Sequence, residues 1–249
     1  MDTRYWGPSG WRLLHLITFA QNSKTQANVI RTFFEMLPYV LPCKYCRASL
    51  SEYMMADPLD KVGAALPRWL WRIHNRVNAK LRDQCLPTAP DPDFAAVRRI
   101  YEERLAAGCT RTSFEGWEFL FSIADNHPMA RAVRSSAPMS GAPPATGLSP
   151  IEKNRWNLLT PEERMPFYEK FWEVLPNVMP FPEWRHWTPI DTATRASTMS
   201  GLWKNRCRIE KELELLNQTD YSSLCQELRS HRSGCNKNKR AKTCRKKKY

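Results

Sequence analysis

Three observations predict an all-α fold for this 249-residue chain. Strand-like alternation is nearly absent, apolar residues recur at three- and four-residue spacing, and proline-rich or polar breaks separate those runs. Hydrophobic residues make up 42% of the sequence, with ten Trp and ten Phe, enough for a packed core and against global disorder.

The runs follow in order. Trp11, Leu14, His15, Thr18 and Phe19 share one helical face, and Ile30, Phe33, Phe34 and Leu37 share another. Pro38 and Pro42 are expected to stop the second run just before Cys43. A third long helix is read over Leu66 to Leu81 and a fourth over Phe94 to Leu105, with the stiff connector LPTAPDPD (86–93) between them. Residues 135–150, SSAPMSGAPPATGLSP, read as a flexible linker or a long inserted loop. These breaks divide the chain into residues 1–92, residues 93–215 and a tail at 216–249.

The formal charge of +13 is concentrated at the end. Between Arg229 and Tyr249 there are many Lys and Arg and no acid, so the body is near neutral. This tail is expected to be solvated and disordered; a weak, nonspecific affinity for nucleic acid is the sharper alternative. No apolar run approaches the roughly 20 residues that cross a bilayer. Met1-Asp2-Thr3-Arg4 leads into Tyr5-Trp6-Gly7-Pro8 without a signal-peptide pattern, so a cytoplasmic protein without a membrane segment is expected.

The chain also repeats itself. FFEMLPYVLPCKYC (33–46) aligns without a gap on FWEVLPNVMPFPEW (171–184), in the frame Phe-x-Glu-x-Leu-Pro-x-Val-x-Pro. Upstream, GWRLLHLITF (10–19) matches GWEFLFSIAD (116–125), which puts Phe121 at the place of His15. Downstream, LWRIHNRVN (70–78) sets more loosely against LWKNRCRIE (202–210), with Arg206 and Cys207 replacing His74 and Asn75. Phe181 and Trp184 stand where Cys43 and Cys46 stand in the first copy. A repeat this long fits a duplicated domain, with a degenerate second copy supporting the first across an internal pseudo-two-fold interface.

Of eight cysteines, Cys43 and Cys46 form the one tight pair. A Cys-x-x-Cys at a helix start places two sulfurs one turn apart, where the helix N-terminus favours thiolate. A zinc site would need a second ligand pair, and residues 1–92 with their neighbours offer only Cys85, Cys109, His15 and His74 at irregular spacing. A thioredoxin-like domain would need strands. A redox pair in a helical bundle is what remains. His74 and Asn78 lie four apart on one helix face, with Asn75 beside them, and Trp11 and His15 make a second aromatic–imidazole pair. Buried polar groups need partners, and a flat, nitrogen-rich ligand would supply them.

These motifs resemble the Erv/ALR flavin-linked sulfhydryl oxidases over roughly residues 5–85. The resemblance rests on Gly7-x-x-x-Trp11-x-x-x-His15, Pro42-Cys43-x-x-Cys46, and Trp69-x-x-x-x-His74-Asn75-x-Val77-Asn78-x-x-Leu81. It is narrowest to the two-domain forms of large DNA viruses, which adds association with virions to the expected location. It implies a four-helix bundle with a short fifth helix, holding FAD through Gly7, Trp11, His15, His74, Asn75, Val77, Asn78 and Lys80. It also implies that Cys43 takes electrons from thiol-containing protein substrates and Cys46 passes them to FAD, with O₂ reduced to H₂O₂.

Two positions depart from the family pattern. Trp71 stands where many members have a clamp cysteine, and Leu41 replaces a Tyr before Pro-Cys. Cys235 with Cys244, or Cys85 with Cys109, are candidates for a second, shuttling pair. A homodimer is the alternative to the internal pseudo-dimer. The rival reading is a non-enzymatic helical scaffold that binds nucleic acid or zinc, the latter through Cys225, His231, Cys235 and Cys244.

Overall fold

The computed structural model describes residues 1–20, 24–59, 65–109, 114–130, 137–215 and 219–232. Among them every regular element is helical: α1 (Thr3–Phe19), α2 (Lys24–Val40), α3 (Lys44–Ala56), α4 (Leu66–Asp83), α5 (Phe94–Ala107) and α6 (Trp117–Asp125) come first. They are followed by α7 (Pro150–Arg155), α8 (Pro161–Val178), a 3-10 turn (Pro182–Arg185), α9 (Arg195–Glu212) and α10 (Tyr221–Arg232).

Local chemistry sets several starts. The Asp2 carboxylate accepts from the Arg4 N–H at 3.0 Å, and the Asp93 carboxylate accepts from the Ala96 N–H at 2.7 Å. At α8 the Thr160 and Glu163 side chains each accept from the other residue's N–H, a reciprocal cap. The expected stop at Pro38 does not occur. α2 runs on to Val40, and α8 likewise passes Pro176 to reach Val178. Each proline removes one backbone donor in the final turns. Packing of α2 and α8 along each other holds the turns regardless.

α1 lies against α4, α5 and α6, while α2 lies against α3 and α8. Two of these contacts join segments that match in sequence. Phe33 and Phe171, the same position of the two copies, are both fully buried and stack with centroids 5.3 Å apart. Full burial stabilises each by roughly 1.5–3 kcal/mol. Between α1 and α6 the contact is reciprocal. A Cβ on Gly10 would lie 2.9 Å from the Phe119 ring, and a Cβ on Gly116 would lie 2.5 Å from Leu13. Gly10 corresponds to Gly116, and Leu13 to Phe119, so residue meets partner in both directions, as across a two-fold axis. Gly116 also has φ 104°, which a side chain would strain.

Two parts of the sequence division need correction. Helix α5, assigned to the second unit, packs on α1 and α4: Phe94 meets Phe19 and Trp71, and Tyr101 meets His15 and Phe19. Of the two readings of residues 135–150, the described part, 137–149, follows the inserted loop, tied down where the Met139 N–H donates to Trp156 O at 2.9 Å. Inside the supposed disordered tail, α10 is a docked helix. Its Leu224 and Leu228 are buried, His231 stacks on Tyr5 at 4.1 Å, and Asp125 accepts from both Arg195 and Arg232. Averaging the charge over the tail hid that short amphipathic stretch. Residues 233–249, with Cys235 and Cys244, lie outside the described residues.

Candidate active site

Cys43 is the N-cap of α3, in extended backbone (φ −130°, ψ 124°), and Cys46 sits in the first turn. The expected helix start is therefore present, with the positive end of α3 facing Cys43. Cys43 is buried and Cys46 half-buried. Arg47 follows directly and is buried; its guanidinium donates to Leu41 O and to Asn157 Oδ1, each at 3.0 Å. Lys44 Nζ donates to Ala137 O at 3.0 Å, and Asn157 Nδ2 donates to the same oxygen at 2.9 Å. The inserted loop and α7 thus cover one side of the cysteine turn.

The polar slot also assembles. Trp11 stacks on His74 with centroids 3.9 Å apart and planes 8° from parallel. His15 Nε2 and His74 Nδ1 share a hydrogen bond of 3.1 Å, and Tyr101 stacks on His15 at 4.9 Å. Burial pushes His15 down to about 3, helped by neighbouring His74, and pushes His74 down to about 4 against the pull of Asp91. Both imidazoles are neutral at ordinary pH, each with one donor and one acceptor nitrogen. His15 Nδ1 is buried, with no hydrogen-bond partner among the described residues. An orphaned ring nitrogen inside an aromatic wall fits a flat heteroaromatic group that hydrogen-bonds at its edge.

The remaining predicted residues sit around this centre with different partners. Asn78 Nδ2 donates to Asp91 Oδ1 at 2.7 Å, and Arg82 pairs with the same carboxylate at 2.6 Å. Lys80 Nζ donates to Ser49 Oγ, joining α4 to α3. Asn75 and Val77 are half-buried on α4. A Cβ at Gly7 would meet nothing within 4 Å, so packing among the described residues does not explain a glycine there. Trp71, at the clamp position, donates from its indole to Pro92 O at 2.9 Å and meets Phe94 edge-on, so it fastens the connector.

Sequence reasoning missed Tyr101, Asp91, Arg47 and Arg164. Only Arg47, next to the cysteines, carried a local signal. Tyr101 belongs to a helix that looked remote, and Asp91 to a connector that looked inert. Arg164 is buried on α8 and donates to Tyr39 O at 3.0 Å.

At the matching place in the second copy the slot is filled from within. Arg206 lies over Trp117 and Trp203, each at 5.5 Å, and over Phe121 at 5.9 Å. It pairs with Glu210 at 2.8 Å, both side chains being buried. These four stand at the positions of Trp11, Trp71, His15 and Asn78, with Arg206 itself at that of His74.

Residues 8–95 match the model of the Erv1 / Alr family. The matched segment carries Trp11, His15, the cysteine pair, His74 and Asn78. The chain is 31% identical over 85 residues to the mitochondrial FAD-linked sulfhydryl oxidase ERV1 of Saccharomyces cerevisiae. That stretch is 32% of this chain and 45% of the yeast protein. It is 34% identical over 85 residues to "Probable FAD-linked sulfhydryl oxidase R368" of Acanthamoeba polyphaga mimivirus, covering 31% of this chain and 59% of that protein. A relative in Invertebrate iridescent virus 3, 096R, is 28% identical over 120 residues, 46% of this chain and 80% of its own length. No solved structure matches the chain.

The other candidate residues stand apart from this segment's cysteine pair. Cys85 is exposed just beyond α4, in left-handed backbone (φ 55°). Cys109 donates to Glu183 Oε2 at 3.4 Å, and burial together with that carboxylate pushes its thiol up to about 12. A thiol held protonated is a poor nucleophile for disulfide exchange, which argues against Cys85 with Cys109 as the shuttle. Among the described residues no three His, Cys, Asp or Glu side chains are grouped to hold a metal ion. No described helix is long and apolar enough to cross a membrane.

Proposed function

We propose that the chain is an FAD-linked thiol oxidase that forms disulfides in protein substrates. The observation that carries this reading is the meeting, inside one Erv1/Alr segment, of a Cys-x-x-Cys helix start with a neutral aromatic–imidazole slot. Trp11, His15, His74, Asn75 and Asn78 would hold the flavin nucleotide, with Gly7, Val77 and Lys80 around them, and His15 Nδ1 would gain its missing partner. Bound FAD supplies a two-electron acceptor for the cysteine pair and a donor to O₂, with H₂O₂ as product.

The chain's own part is thiol chemistry. A substrate thiolate attacks Cys43 of the oxidised pair, breaking the Cys43–Cys46 bond and forming a mixed disulfide. A second substrate thiolate attacks that disulfide and releases Cys43, so the substrate leaves oxidised and the pair holds two electrons. Cys46 is the sulfur that hands them on.

The second copy takes the place of a dimer partner, and the Arg206–Glu210 pair leaves it no slot for flavin. The viral relatives support work in the cytoplasm or in virions. Purified protein is expected to be yellow and to consume O₂ only with thiol present. Cys43→Ser and Cys46→Ser should each lower turnover at least about 100-fold with the flavin band retained. A folded, colourless protein that takes up no FAD would sink the reading.

A further inference from the structure

One buried positive charge, Arg47, lies beside the cysteine turn, a second, Arg164 of α8, lies near Arg47, and every described hydrogen-bond partner of the two is neutral. Arg47 donates to Leu41 O and Asn157 Oδ1, and Arg164 to Tyr39 O. The residues are 3% and 4% exposed, and the Nε of each has no hydrogen-bond partner among the described residues. A buried charge without a counter-charge is costly, commonly by several kcal/mol.

Part of the compensation comes from α2. Its C-terminal carbonyls receive Arg164 at Tyr39 and Asn154 at Pro38, while Arg47 takes Leu41 just beyond. Yet a helix end carries only about half an elementary charge. Asn154 shows that a neutral amide can fill such a position. Two full guanidinium charges exceed what this helix end can offset.

Around Arg47 the neighbouring titratable groups supply no fixed anion, whereas Arg164 also faces His127, on which Glu169 acts, and Tyr168, on which Asp125 acts. Tyr39 of α2 is pushed up to about 12 by burial and then by Glu35, so it stays neutral, and burial also raises Tyr168 of α8. Lys44 of α3 and Lys80 of α4 add positive charge, bound to Ala137 O and Ser49 Oγ. Glu52 of α3 pairs outward with Arg155 of α7 at 3.5 Å, and Asp57, beyond the far end of α3, pairs with Arg72 of α4.

We propose that Arg47 is a fixed counter-charge for the Cys43–Cys46 pair, stabilising the negative sulfurs that appear when it accepts electrons. The proposal rests on the reading of these cysteines as the oxidase's redox pair. Two substrate thiolates and one Cys43–Cys46 disulfide yield one substrate disulfide and two cysteine sulfurs, carrying two electrons and up to two negative charges. Those charges arise next to Arg47, whose charged form Cys43 and Cys46 favour while burial opposes it, bringing it down to about 10. Arg164 of α8 is lowered to about 8 by burial and by the nearby Arg47, and neither cysteine is among the groups that act on it. Arg47 is a positioning residue.

The test is the pH profile of Cys43 alkylation by iodoacetamide on full-length protein, reduced under argon and read by peptide mass spectrometry. The wild-type midpoint should fall at least about one unit below the ordinary thiol value near 8.5. Arg47→Met should raise it by about one unit and shift the glutathione equilibrium about tenfold toward the disulfide. A tenfold shift is about 30 mV of lowered potential. Arg47→Lys should recover most of the effect. A folded Arg47→Met protein with wild-type midpoint and equilibrium would overturn the proposal and leave Arg47 as a cap of α2. If Arg47→Met does not fold, the wild-type midpoint decides alone, and a value at or above about 8.5 would overturn the proposal. Alkylation requires neither flavin nor O₂, so wild-type flavin content and O₂ uptake test the oxidase reading separately.

Discussion

Replacing His15 by Phe, the residue its counterpart Phe121 already uses, should make the protein less sensitive to acid. In the folded chain burial holds His15 neutral down to about 3, whereas an unfolded histidine protonates near 6.5. Between those values the unfolded state binds the extra proton, so lowering the pH favours unfolding. From about pH 7 to about pH 5 this one group accounts for about 2 kcal/mol of lost stability, at about 1.4 kcal/mol per pH unit. His74, lowered to about 4, behaves in the same direction in both proteins. Carboxylates titrate mainly below this window and are common to both. Urea unfolding of cofactor-free protein, followed by tryptophan fluorescence, reads the difference. The acid-induced drop in midpoint should be smaller in the variant by about 1 M. Equal drops in the two proteins would refute the burial argument for His15.

Three further outcomes follow from the packing. Gly116→Ala puts a Cβ 2.5 Å from Leu13 at φ 104° and should destabilise by about 2–4 kcal/mol, read by the same unfolding experiment. Asp125→Asn removes the carboxylate shared by Arg195 and Arg232. Because both arginines are partly exposed, the loss should be about 2 kcal/mol, seen as faster protease cleavage within Tyr221–Arg232. Absorbance against protein mass should give one flavin per chain, and a value near two would contradict the self-filled slot around Arg206.

The helices that read most clearly in the sequence were those whose apolar spacing is uninterrupted. Leu66 to Leu81 extends only to Asp83, and Phe94 to Leu105 only to Ala107. Pro38 misled because a missing donor is a local penalty, while the buried face of α2, with Phe33 and Phe34, is a larger and non-local gain. The same limit applies at the site. Trp11, His15, His74 and the cysteine turn were legible because each pair lies within one helix or is separated by one turn. Tyr101 on His15 and Arg164 near Arg47 depend on how distant helices dock, and no local spacing encodes that. The loose match of 70–78 with 202–210 gained support only from three dimensions, where Arg206 meets Trp117 and Phe121 as His74 meets Trp11 and His15.

The reciprocal contact of Gly10 with Phe119 and Gly116 with Leu13 lies within one polypeptide. Were the same surfaces carried by separate subunits, dilution would pull them apart; covalent linkage fixes their effective concentration instead. Linkage also frees the two sides to diverge. A substitution at such a surface in a homodimer appears twice, whereas here Phe119 could grow while Leu13 stayed smaller. The seam can therefore keep its fit at any protein concentration.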